Sequence, residues 1–213
     1  GNFTPAPELS GGPTVSGVTT KITTISWATD RKGDSKVQYG SSPGTYFSSE
    51  PSNSTQATDH EIDLENLTPG TTYYYKVKWT DEDGNTGISE EKTFTTEPAP
   101  VVKDVSVLSV GLDSVILKFS STGASKVKVY YGETTGFGGI KVTSTSTAET
   151  TYTVQIDDLK DGQKYYYKIN LLDSEDDEYE GTILDFATLP RPKISSIKVQ
   201  QFKNASNPTI LFS

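Results

Sequence analysis

Catalysis needs groups that hold metals or move protons, and this 213-residue chain brings few of them together. It has one histidine, His60, and no cysteine. One imidazole cannot build a two-histidine metal site, and nothing in the pattern supports a Ser-His-Asp triad. His60 precedes the apolar pair Ile62 and Leu64 and is expected on the surface. No catalytic residue, metal or cofactor is assigned, and an enzyme is not expected.

Oxygen donors are densest at Asp81-Glu82-Asp83-Gly84-Asn85, where Asp81, Asp83 and Asn85 alternate as in calcium loops. An EF-hand closes such a loop with Glu at the twelfth position, and Lys92 stands there instead. Gly84-Asn85 is also ordinary hairpin chemistry, so a plain turn is expected and calcium is the competing reading. Asp173-Ser174-Glu175-Asp176-Asp177-Glu178 reads as a solvated tip, with weak cation binding as the alternative. Gly136-Phe137-Gly138-Gly139 lacks the Lys-Ser/Thr ending of a phosphate loop and is expected to be a flexible connection. Lys32-Gly33-Asp34 resembles an adhesion tripeptide but is placed in an early loop, away from a hairpin tip. Outward Tyr74 and Tyr166 are binding candidates for a sugar or a neighbouring domain, set against ordinary cross-strand pairing. Asn-x-Ser/Thr triplets make Asn2, Asn53, Asn66 and Asn204 candidate glycosylation sites.

The elements that must carry these residues are strands. In Tyr73 to Trp79 one face reads Tyr73, Tyr75, Val77, Trp79 and the other Tyr74, Lys76, Lys78, the period-two pattern of a half-buried strand. The same pattern returns with Tyr165, Tyr167, Ile169 and Leu171 inside and Tyr166, Lys168 and Asn170 outside. Further strands are expected at Ile22 to Trp27, Lys36 to Tyr39, Glu91 to Thr95, Val115 to Phe119, Lys126 to Tyr131 and Leu184 to Ala187. Ser42-Pro43-Gly44, Pro69-Gly70 and Asp83-Gly84-Asn85 mark turns between them, and no helix of three or more turns is expected.

These strands belong to a repeat. Leu67 to Lys76 returns as Leu159 to Lys168, and the same step carries Trp27 to Phe119, Val37 to Val129, Tyr39-Gly40 to Tyr131-Gly132 and Phe94 to Phe186. A register kept over that length means one folding unit used twice. Glu97-Pro98-Ala99-Pro100 closes the first unit, and Leu189-Pro190-Arg191-Pro192 echoes it; such linkers are extended and semi-rigid. The expected organisation is unit one over 1–97, unit two over 98–189, and at 190–213 either the first strands of an incomplete third unit or a donated tail.

Leu67, Pro69, Gly70, Thr71 and Tyr73, with Trp27 on an early strand, resemble the fibronectin type III fold. Tyr73 matches that family's tyrosine corner. Val37-Gln38-Tyr39-Gly40-Ser41-Ser42-Pro43-Gly44 followed by a Tyr-Tyr-Tyr strand is similar to the fibronectin-like domain at the N-terminus of purple acid phosphatases and in microbial surface proteins. Unit two keeps Tyr131-Gly132, Gly162 and Tyr165 but has Asp161 for the proline and Phe119 for the tryptophan. The phosphatase chemistry would need a separate metal domain with several histidines, which a chain with one histidine does not hold.

The expectation is therefore an all-β, elongated tandem of immunoglobulin-like (fibronectin type III) antiparallel β-sandwiches. The net charge of −9 argues against nucleic acid and against an anionic membrane surface. No apolar run reaches the roughly 18–20 residues of a membrane span, and no signal peptide is visible. The role expected is a non-catalytic spacer or adhesion stalk, secreted to a microbial cell surface or its filaments. Its expected partners are proteins, including self-assembly through residues 190–213, or a surface glycan. The alternative is an accessory module of a secreted hydrolase that contacts substrate or glycan.

Overall fold

The computed structural model describes residues 5–144, 150–195, 197–200 and 209–212. Every element among them is a strand, as β-branched and aromatic residues at alternating positions require. Asn2 and Asn204, with much of the 190–213 tail, lie outside the described residues.

Unit one contains β1 (Leu9–Ser16), β2 (Thr23–Gly40), β3 (Ser52–Leu64), β4 (Thr72–Thr80), β5 (Thr86–Ile88) and β6 (Lys92–Thr95). The 18-residue β2 links what would otherwise be two layers. Its first half, Thr23 to Ala28, pairs with β1 and β3, and its second half, Lys36 to Gly40, pairs with β4. Register shifts between Ala28 and Gly33 and between Gly33 and Ser35 lie between the two halves. Bulges of this kind bend a strand and increase its twist. The expected early loop at Lys32-Gly33-Asp34 is therefore corrected: the tripeptide lies inside β2. Asp34 accepts the Thr80 N–H at 2.6 Å and pairs with Lys36 at 3.1 Å, tying β2 to β4.

Unit two separates the same two segments as β8 (Val115–Thr122) and β9 (Lys126–Gly132), with Gly123 at φ 74° between them. One sheet runs β11 (Thr150–Ile156), β8, β7 (Val101–Val110). The other runs β10 (Gly139–Ser144), β9, β12 (Lys164–Leu172), β13 (Glu178–Tyr179), with β14 (Leu184–Ala187) also on β12. Two antiparallel layers in this strand order form the sandwich of the fibronectin type III fold. β15 (Ile197–Gln200) and β16 (Thr209–Phe212) pair antiparallel with each other.

Each unit has its own core. Ile25, Trp27, Val37, Leu64, Tyr75, Val77 and Trp79 pack in the first; Leu117, Phe119, Val129, Ile156, Tyr167, Ile169 and Leu171 occupy the repeated positions in the second. Each such apolar side chain stabilises its unit by about 1.5–3 kcal/mol relative to exposure. Most of the alternation expected for β4 and β12 holds. Asn170 departs from it: it was expected outside and is 1% exposed.

The corner repeats bond for bond. The Tyr73 hydroxyl accepts the Thr68 N–H at 2.8 Å, and Tyr165 accepts the Lys160 N–H at 2.9 Å. Thr96 bridges the same turn by donating to the Thr68 carbonyl at 2.7 Å and accepting the Thr71 N–H at 2.9 Å. Thr188 does so for Lys160 and Gln163. The repeated Tyr-Gly dipeptide has a steric cause. A Cβ at Gly40 would lie 2.0 Å from the Thr45 carbonyl oxygen, and one at Gly132 would lie 2.9 Å from Phe137 Cα. Only glycine lets the returning chain pass that close.

Candidate functional site

Sequence reasoning put His60 on the surface, and the structure corrects this: it is 3% exposed. Its strand alternates with Ile62 and Leu64 on the inner face, so the same period that buries them buries His60. The ring stacks on Trp27 at 4.9 Å and lies between the Thr29 hydroxyl, 2.9 Å from Nε2, and the Ser35 hydroxyl, 2.8 Å from Nδ1. Burial lowers its pKa, against the pull of Asp59 and Asp34. Both ring nitrogens are therefore satisfied by hydroxyls inside unit one, as a buried imidazole requires.

The calcium candidates Asp81, Asp83 and Asn85 lie together in one turn. Asp81 Oδ1 accepts the N–H groups of Asp83 at 3.1 Å and Asn85 at 2.8 Å, and the Asn85 amide donates to both of its oxygens. The bond from Asn85 holds the Asp81 carboxyl below its ordinary value. Among the described residues no three acidic or histidine side chains converge as metal ligands. Asn53 and Asn66 are exposed, Asn53 accepting the Thr55 N–H and Asn66 at φ 56°. Tyr74 and Tyr166 lie on outer faces. Tyr166 is capped by the Lys164 ammonium at 5.0 Å and stands opposite Gly132 and Asp185, while Tyr74 faces Gly40 and Thr93.

The tip at 173–178 is the main departure from expectation. Asp173 repeats the role of Asp81, its Oδ1 accepting the N–H groups of Glu175 and Asp177 at 3.0 Å each. Yet Asp173 is 1% exposed, because the tip docks on unit one. Its Oδ2 accepts the Thr20 hydroxyl at 2.5 Å and the Tyr179 hydroxyl at 3.1 Å. Beside it Lys21 pairs with Asp177 at 2.7 Å and lies 5.6 Å from the centre of the Tyr179 ring. The Asp177 bond raises the Lys21 pKa. The linker packs along the same joint: Gly70 abuts Pro98 and Gly123 abuts Pro100. The solvated-tip reading is thus corrected at Asp173, while Ser174 and Asp176 are exposed as expected. Charge density along the chain gave no sign of a partner 153 residues away.

A second arrangement lies on the outer face of unit two. Tyr130, Phe137, Ile140, Lys168, Asn170 and Glu178 line a shallow groove of about 660 Å³. Glu178 accepts from Lys128 at 2.6 Å, Tyr130 at 2.9 Å and Asn170 at 2.7 Å. Burial alone would raise the Glu178 carboxyl, but these three donors outweigh it and hold it below the usual range. Asn170 is fixed in turn by accepting the Gly181 N–H at 3.1 Å. The Lys168 ammonium lies 5.3 Å from the Tyr130 ring centre and 5.6 Å from that of Phe137, and pairs with Glu180 at 3.0 Å. The expected flexible Gly-rich connection turns out to be the tip that carries Phe137 into this groove. Its signal in the sequence was a bulky residue set among glycines.

Residues 13–96 match the family model of the purple acid phosphatase N-terminal domain. The matched stretch holds Trp27, the tyrosine corner of Tyr73 and the Thr20 half of the joint, and it ends before the linker. In fold the chain is similar to the crystal structure of chicken CNTN1 FN1-FN3 domains, with a TM-score of 0.37 and 15% identity over 87% of this chain. It spans 66% of that structure, less than two thirds of its length. No curated protein matches the chain.

Proposed function

We propose that the chain is a non-catalytic spacer module of an extracellular, microbial surface protein, with its two units held at a set angle. The observation that carries this reading is the joint, where a buried carboxylate of unit two closes its own turn and grips Thr20 of unit one. A flexible pair of beads has no use for a buried inter-unit hydrogen bond, whose desolvation is costly unless the contact persists. The Pro-x-Pro linker against Gly70 and Gly123 supports the same conclusion, since proline removes backbone freedom at the hinge. Placement at the cell surface rests on the resemblance of Val37–Gly44 to repeats of microbial surface proteins.

Residual dipolar couplings test the spacer reading directly. Amides of both units are expected to fit one alignment tensor in the intact chain. Two independent tensors of different magnitude would mean a loose joint and would overturn the reading.

A further inference from the structure

The groove on unit two is lined by residues that the repeat does not keep. The repeat carries Tyr130 back to Gln38, Asn170 to Lys78, Glu178 to Thr86 and Phe137 to Thr45. Polar groups that the fold requires, such as Tyr73 and Thr96, recur in both units. In unit one Gln38 and Lys78 converge on Glu50 instead, so a carboxylate at this place is shared and the aromatic and amide members of the Lys128–Tyr130–Asn170–Glu178 network are particular to unit two.

Two further observations point to a ligand. Phe137 sits at φ 48°, a region a bulky side chain rarely occupies, with Gly136 and Gly138 on either side. Such strain persists where surrounding structure enforces it, and it commonly marks working sites. Here it places an aromatic ring over the groove, 6.3 Å from Tyr130 and beside Ile140, which is 47% exposed. The charges cancel in pairs, Lys128 with Glu178 and Lys168 with Glu180.

We propose that this groove binds a neutral glycan through its Tyr130, Phe137 and Ile140 wall and the Lys168 and Glu180 rim. A sugar ring offers an apolar C–H face for the aromatic wall and hydroxyls for the charged rim. A groove without net charge favours a neutral saccharide over an anionic or amino sugar. Tyr166 is not part of the lining.

The test is amide-shift mapping by NMR of the full chain, titrated with cello-, xylo-, manno- and malto-oligosaccharides at millimolar concentration. Shifts confined to residues 128–142 and 166–181 are expected with at least one of them. Phe137→Ala and Ile140→Glu should each weaken binding on the order of tenfold, the latter at an exposed position that spares the core, while Tyr74→Ala leaves it unchanged. The spectra themselves report whether each variant is folded. Absence of shifts with all four sugars overturns the proposal. A peptide that shifts the same amides where sugars do not also overturns it and assigns the face to a protein. None of these failures touches the spacer reading, which rests on the alignment tensor.

Discussion

Replacing Thr20 by valine removes one hydroxyl and almost nothing else, at a site 2% exposed against a carboxylate 1% exposed. Asp173 keeps the two backbone N–H groups of its own turn and the Tyr179 hydroxyl, and loses the Thr20 hydroxyl that reaches it from unit one. A hydrogen bond to a charged group contributes about 1.5–3 kcal/mol. The contact spans both units, so its energy protects whichever unit unfolds first and is gone when the second unfolds. Urea unfolding reads this cleanly, because both tryptophans, Trp27 and Trp79, lie in unit one. Tryptophan fluorescence thus follows unit one, and far-UV circular dichroism follows both. With a slope of about 1–3 kcal/mol per molar urea, Thr20→Val should lower the first transition by about 1 M and leave the second in place. Thr20→Ser, which keeps the hydroxyl, should restore most of the loss. If Thr20→Val moves neither transition, the joint is not closed in solution and the reasoning fails.

Three further outcomes are expected. Tyr165→Phe leaves the Lys160 N–H without its acceptor and should cost about 1 kcal/mol in the unit-two transition, with the fluorescence transition unmoved. Gly40→Ala forces a methyl against the Thr45 carbonyl and should cost about 1–3 kcal/mol in unit one, read by fluorescence; an unchanged midpoint would show that the chain does not return so closely. Burial lowers the His60 pKa below its ordinary 6.5, so the folded state binds fewer protons than the unfolded one across that interval. Its stability contribution is complete above about pH 6.5 and declines as pH falls through the interval down to the folded value. His60→Gln should flatten the dependence of the fluorescence midpoint between pH 7.5 and 5.5, and equal slopes in the two proteins would contradict the assignment.

The parts of this fold readable in the sequence are those with a local cause. Tyr73 and Tyr75 alternate with Tyr74 because a strand has period two, and Gly70 follows a turn that needs its φ of 62°. The single β2 was missed because Gly33 and Asp34 are ordinary turn residues, and only the approach of Thr80 makes them strand. His60 was misplaced because a lone imidazole before an apolar pair reads as surface until Thr29 and Ser35 are seen to satisfy both nitrogens. The docking of Asp173 depends on how two cores are set against each other, and no period along the chain encodes that. Phe137 among glycines was visible as a pattern, but the meaning of the pattern needed Tyr130 and Lys168 around it.

The joint also determines what can follow what. The repeat carries Thr20-Lys21, the corner that receives the acidic tip, onto Leu112-Asp113 in unit two, both exposed. The corresponding tip of unit one is Asp81-Glu82-Asp83. That tip and that corner are both acidic, so a second copy docked in the manner of the internal joint would set like charge against like charge. The corner of unit one and the tip of unit two are matched in charge and hydrogen bonding, so the order of the two units is written at their ends as well as in the linker.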